Sequence, residues 1–301
     1  MLSKNILNFM KLLLKSLLII VFLSTMLIVI SIYSFSQPSL KIIYHEIKAM
    51  GPIWVFEYKK LRCLSFVEPG QVTQTCLDLN SPLKLVYGYQ QIITASTLAI
   101  QTPKSICVVG LGGGTLPQAL RTLYPQAMID VVEVNRDVLD CAKQYFNFKP
   151  CERLKVIIGD GVEYFQNISA DQRYDMVVMD AFDAIYIPPA FLTESFVESV
   201  YNHLNEDGVV FVNTFKGSKF YEREMELYQH VFGSLYQPEM PTTFDDGNRI
   251  LMAVKGKILP YKNSLYFSGL RQQQLEAIGI NVDRALSCVK QLEPLNGHYQ
   301  Y

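Results

Sequence analysis

Five short polar clusters in the middle of the chain carry side chains that can do chemistry. Gly110-Leu-Gly-Gly-Gly114 has backbone bare enough for its amides to approach a ligand closely, at what reads as a helix start. Glu133 is an acid able to accept hydrogen bonds from two neighbouring hydroxyls, such as those of a ribose. Asp160-Gly161 offers an acceptor for an amino group on a base. Asp180-Ala-Phe-Asp183 sets two acids three residues apart after an apolar run. Such a pair can bind a cationic amine, take its proton and hold it for in-line attack. Asp183 could instead cap the following segment. A metal is the weaker reading, because His45, His203, His230 and His298 are scattered singly, and no metal site is expected. Asn213-Thr214 is the fifth cluster.

Each cluster ends a short apolar stretch. Residues 105–110, 128–134, 154–158, 174–180 and 208–214 read as strands. Residues 116–124, 136–146 and 193–204, and a segment starting near Gly161, read as helices between them. Residues 249–254 read as a last strand. Alternating strands and helices, with strands apolar on both faces, predict a parallel sheet covered on both sides. Ligands bind such a sheet beyond the carboxyl ends of its strands, which is where the five clusters lie. The dinucleotide fingerprint needs glycine at its sixth position, where Thr115 stands, so the loop argues against NAD or FAD. The glycine loop with Glu133 and Asp160 is the layout of nucleoside binding in class I methyltransferase-type sheets. The expected fold is therefore α/β, Rossmann-like and doubly wound.

Residues 53–85 look all-β, rich in aromatic and β-branched side chains. Folding about Pro69-Gly70 puts Cys63 opposite Cys76. That pair predicts either a cross-strand disulfide in an oxidising compartment or two half-buried thiols. The chain has six cysteines and no CxxC spacing, so neither a zinc site nor a redox motif is indicated. Apolar residues recur at helical spacing over 89–100, and Thr102-Pro103 stops that helix.

Half of the 301 residues are apolar, only 18% are charged, and mean hydropathy is +0.15. Much of the excess lies in residues 16–35, twenty residues without an acid, lysine, arginine or histidine. Lys4, Lys11 and Lys15 precede that run, and the first acid is Glu46. The run matches a hydrocarbon core of about 30 Å, and the lysines predict a cytoplasmic N-terminus. It reads as an uncleaved single-pass anchor or as a signal peptide cleaved near Ser34-Phe35-Ser36. Either reading exports the body. The body holds 24 basic against 28 acidic residues, which argues against sequence-independent nucleic-acid binding. The apolar content excludes a disordered chain, and the absence of a second long apolar run excludes a polytopic one. The expected organisation is residues 1–36 as anchor or signal, 37–88 as a β-rich extension and 89–301 as a catalytic domain.

Over residues 53–255 the chain resembles the spermidine synthase (polyamine aminopropyltransferase) family. Tyr89-Gln90-Gln91 resembles that family's Tyr-Gln-Glu segment, and Gly112-Gly113-Gly114-Thr115-Leu116 the end of its glycine loop. Glu133 matches its ribose-binding acid, Gly159-Asp160-Gly161 its adenine-side motif, and Asp180-Ala-Phe-Asp183 its catalytic segment. The resemblance implies aminopropyl transfer from decarboxylated S-adenosylmethionine, a co-substrate and not a tightly bound cofactor, to a diamine such as putrescine. The products would be spermidine and methylthioadenosine. It implies nucleoside contacts from Gln90, Gly110, Gly112, Gly113, Gly114, Glu133, Asp160 and Gly161. It also implies amine contacts from Tyr89 and Asp183, catalysis by Asp180 and Asp183, and a homodimer. Three positions depart from the pattern: Gly112 stands where the family has an acid, Gln91 replaces an acid, and Ala184 replaces a proline. The first departure removes a contact to the donor's aminopropyl end. It therefore keeps open a methyltransferase using S-adenosylmethionine. The exported topology keeps open a binding protein that has lost catalysis.

Overall fold

The structure, a computed structural model, describes residues 9–11, 13–26, 39–100, 102–182, 188–215, 217–240, 247–257, 269–290 and 292–295. They fall into two units, Met1–Leu40 and Lys41–Tyr301. Among its described residues the first unit contains one helix, α1 (Phe9–Met26), which is long and apolar enough to cross a membrane and whose described side chains are uncovered. Its 18 residues span about 27 Å at 1.5 Å per residue. It overlaps the expected run over residues 16–26; residues 27–35 lie outside the described residues.

The second unit opens with an antiparallel sheet of four strands in chain order: β1 (Lys41–Lys48), β2 (Gly51–Tyr58), β3 (Leu61–Ser65) and β4 (Thr75–Asp78). The β3–β4 register sets Cys63 opposite Cys76, with Cα atoms 4.1 Å apart, and the two are disulfide-bonded. This decides between the two readings of that pair. Helix α2 (Gly88–Ser96) and a 3-10 turn (Thr97–Ala99) follow, ending four residues before Pro103.

The strands β5 (Ser105–Val109), β6 (Met128–Glu133), β7 (Leu154–Ile158), β8 (Tyr174–Met179) and β9 (Leu204–Phe215) are parallel. Two further strands, β10 (Leu235–Tyr236) and β11 (Asn248–Lys255), join them antiparallel, giving the order β10-β11-β9-β8-β5-β6-β7. The helices between are α3 (Thr115–Leu123), α4 (Arg136–Tyr145), α5 (Gly161–Asn167), α6 (Glu194–Asn202) and α7 (Tyr221–Phe232). Helices α8 (Gly269–Ala277) and α9 (Val282–Lys290) end the described chain.

Successive residues of a strand point to opposite faces, so an apolar run has to be covered twice. Ile106 and Val108 of β5 join the core shared with the four-stranded sheet, α2, α3, α4, α8 and α9. Cys107 and Val109 join the core under α5, α6 and α7. Each fully buried valine or isoleucine contributes about 1.5–3 kcal/mol over exposure, which is what keeps the sheet central. The chain leaves β5 for β6 on one side and reaches β8 on the other. The crevice where the order reverses opens at the carboxyl ends.

Candidate active site

The carboxyl ends of β5, β6, β8 and β9 and the start of α2 enclose a cavity of about 970 Å³. That is at the upper end of the roughly 300–1,000 Å³ of small-molecule sites. Tyr89, Gly110, Glu133, Asp160, Asp180 and Asn213 all line it.

Asp180 follows the last residue of β8. Tyr89 Oη donates to its Oδ2 at 3.0 Å and Asn213 Nδ2 to its Oδ1 at 2.7 Å. Burial and the adjacent Asp180 charge raise the Tyr89 hydroxyl well above its ordinary range, so it remains a donor. Asp180 N donates to Val109 O at 2.8 Å, which draws the acid against the glycine loop. The approach is close enough that a Cβ on Gly110 would lie 2.2 Å from the Asp180 carbonyl oxygen, and Gly110 has φ +101°. Only glycine lets the two strand ends meet this way.

Glu133 ends β6. Its Oε2 accepts from Leu111 N at 2.9 Å and its Oε1 from Asn135 N at 2.8 Å. Burial raises its carboxyl above the usual range, opposed by those backbone donors. Asp160 caps α5, with Oδ1 accepting from Val162 N and Glu163 N at 2.8 and 3.1 Å. The cap fixes the carboxylate at the cavity wall and turns the helix start toward it.

Gln90 bridges the two halves. Its Nε2 donates to Tyr89 Oη at 3.3 Å and to Thr115 Oγ1, the first residue of α3, at 3.1 Å. Thr115 in turn meets Thr75 of β4 across 3.3 Å. Beside Thr75 lies Gly112, with φ +52°, where an added Cβ would sit 3.5 Å from Thr75 Cβ in ordinary contact. The chain thus has room for a side chain at this position and carries none.

Of the residues singled out from sequence, Tyr89, Gln90, Gly110, Gly112, Glu133, Asp160, Gly161 and Asp180 reach the cavity. Gly113 and Gly114 pack behind the wall, where a Cβ would strike Phe146 and Phe148 respectively. Asp183 and Ala184 lie outside the described residues. Gln91, at the position of a family acid, is not on the cavity: its Nε2 donates to Leu85 O at 2.9 Å. Among the described residues no cluster of metal-ligating side chains occurs. Sequence reading gave no role to Thr75 or Asn248, both on the cavity wall. Polar residues inside apolar strands next to the clusters were the available signal.

Residues 86–244 match the spermine/spermidine synthase domain. A polyamine aminopropyltransferase of Vibrio vulnificus is 36% identical over 240 residues, 78% of this chain and 77% of its own length. An eEF1A lysine and N-terminal methyltransferase of Mus musculus is 36% identical over 124 residues, 38% of this chain and 18% of its own. A solved spermidine synthase in complex with the transition-state analogue AdoDATO superposes with a TM-score of 0.59 at 19% identity. It covers 82% of this chain and 88% of its own, a likeness of fold.

Proposed function

The chain belongs to the spermine/spermidine synthase family, and from that membership we propose that it transfers an aminopropyl group from decarboxylated S-adenosylmethionine to a diamine such as putrescine. The observation that carries the site assignment is Asp180. Its carboxylate faces the cavity at a strand end and is held by Tyr89 and Asn213, in a cavity also lined by Glu133 and Asp160.

In this reading the donor's ribose hydroxyls bind Glu133 and its adenine amino group meets Asp160. Gln90, Gly110, Gly112 and Gly161 flank the nucleoside. Tyr89 and Asp183 contact the amine, whose proton passes to Asp180. The nitrogen lone pair attacks the methylene carbon beside the sulfonium. A C–N bond forms as the C–S bond breaks, and the electron pair stays on sulfur. Spermidine and neutral methylthioadenosine result, and no resident cofactor is needed. A half-buried carboxylate beside two cations lowers the cost of bringing them together.

A second reading, methyl transfer from S-adenosylmethionine, is favoured by Gly112, which removes one charged contact worth about 1.5–3 kcal/mol at the aminopropyl end. Product analysis tests both. The body from Gln37 is incubated with each donor and putrescine. Methylthioadenosine supports aminopropyl transfer, S-adenosylhomocysteine supports methyl transfer, and no turnover with either supports a binding protein.

The rest of the proposal is topological: a single pass through the membrane with a cytoplasmic N-terminus, an exported body, and a homodimer. The apolar α1 helix, the three lysines before the uncharged run of residues 16–35 and the Cys63–Cys76 disulfide support export. A reporter fused after Tyr301 that is active in the cytoplasm would overturn this orientation.

A further inference from the structure

Asn213 and Asn248 are polar residues at the cavity end of two adjacent antiparallel strands, β9 and β11. Asn248 Nδ2 donates to Asn213 Oδ1 at 2.8 Å, and Asn213 Nδ2 donates to Asp180 Oδ1 at 2.7 Å. Asn213 is 1% exposed, so water does not compete for its amide. Turned the other way, its oxygen would face a carboxylate oxygen and its amino group would face the amino group of Asn248. Both contacts would be repulsive, and a buried amide left in that state is costly. The Asp180 carboxylate accepts only, so it takes the amino end of Asn213, and Asn248 holds the amide in that orientation by donating to its oxygen.

The residues that follow each of these in the strand point to the other face and lock the pair. Thr214 Oγ1 donates to Glu224 Oε2, and Arg249 Nη2 donates to the same oxygen at 3.2 Å. Thr214, Glu224 and Arg249 are all buried. This ion pair ties β9 and β11 to α7 where the two asparagines sit, which fixes their separation. On the cavity side, Asp180 receives Tyr89 on one oxygen and Asn213 on the other, so its carboxylate plane cannot rotate freely.

We propose that Asn248 and Asn213 form a directional amide relay that positions Asp180 for proton transfer. In the relay Asn213 accepts from Asn248 and donates to Asp180, which keeps the carboxylate aimed at the incoming amine. Both asparagines are positioning residues, and the inference rests on the reading of Asp180 as proton acceptor.

The test uses the full chain with decarboxylated S-adenosylmethionine and putrescine, following methylthioadenosine in single turnovers, with thermal midpoints measured alongside. Asn248→Ala is expected to lower the turnover rate about tenfold while leaving donor KM unchanged, as loss of an interaction that serves only the chemical step. Asn213→Ala and the double variant are expected to lose the same amount, because one residue acts through the other. Asn248→Asp, nearly isosteric, is expected to lose more than Asn248→Ala, since it inverts Asn213; a purely structural role predicts the reverse order. In the Asp180→Asn background, Asn248→Ala is expected to cost nothing further. Multiplying losses in the double variant, or an Asn248→Asp variant as active as the unaltered chain, would overturn the relay. Full activity of Asp180→Asn would instead overturn the reading of Asp180, and the relay with it.

Discussion

The hydroxyl of Tyr89, the second residue of α2, donates to Asp180 at 3.0 Å across 91 residues of sequence. The bond ties the N-terminal edge of the site to the end of β8. Because burial and the adjacent Asp180 charge raise the Tyr89 hydroxyl well above its ordinary range, it stays protonated at neutral pH. Tyr89→Phe is expected to lower kcat roughly 10- to 100-fold with donor affinity retained, the cost of one charge-assisted hydrogen bond made in the chemical step. The measurement is a kcat and KM comparison. A loss confined to donor KM would move Tyr89 to the nucleoside side.

Glu133 makes donor binding dependent on pH. Burial raises its folded carboxyl above the unfolded value, so its contribution to stability is full below the unfolded pKa and lost as pH rises through the folded one. Hydroxyl donors bind the charged form. Donor affinity is thus expected to rise with pH over that same window, just above the ordinary carboxylate range, and calorimetric titration at several pH values reads it. An affinity flat through that window would exclude Glu133 as the ribose acceptor.

Gly110 tests the meeting of the two strand ends. Gly110→Ala places a methyl group 2.2 Å from the Asp180 carbonyl oxygen at φ +101°, so Asp180 has to shift. Turnover is expected to fall by at least about 100-fold, since displacements near 1 Å at a reacting group cost that much. Gly112→Ala, which meets Thr75 only in ordinary contact, is expected to fall far less. Equal losses would show that neither effect acts through Asp180.

The Cys63–Cys76 bond closes a loop of sequence separation 13 beneath the cavity wall, and Cys76 Sγ lies 3.4 Å from the hydroxyl of Tyr87, which lines the cavity. Cys63→Ser with Cys76→Ser is expected to cost about 3 kcal/mol, the loop-closure value for this length. That lowers the thermal midpoint by roughly 6–12 °C for a unit of this size. A midpoint insensitive to reductant in the unaltered chain would show the bond adds nothing to stability.

The central strands were legible because β5, β6 and β8 are short apolar runs ending in glycine or acid, a pattern that buried parallel strands alone need. The strand β9 runs longer than its apolar part, from Leu204 through Asn205, Glu206 and Asp207, because backbone pairing carries polar residues along. Helices α7, α8 and α9 were not read from sequence, since their charged faces obscure the apolar stripe. That Glu133 and Asp160 reach the cavity was legible because one charge at each strand end has few other uses. That Asp160 also caps α5 follows from its position just before the helix. Gln91 was not legible: only the fold shows that it turns to the Leu85 carbonyl rather than to the cavity. The pairing of Asn213 with Asn248 spans 35 residues and depends on antiparallel register, which no local pattern encodes.

Methylthioadenosine release by the unaltered chain and by Asp180→Asn tests the account most directly, with donor affinity measured in both. The account predicts steady release by the first with putrescine and decarboxylated S-adenosylmethionine. It predicts a loss of at least about 100-fold in the second, as expected for removing a general base, at unchanged donor affinity. Equal release by the two proteins would contradict it.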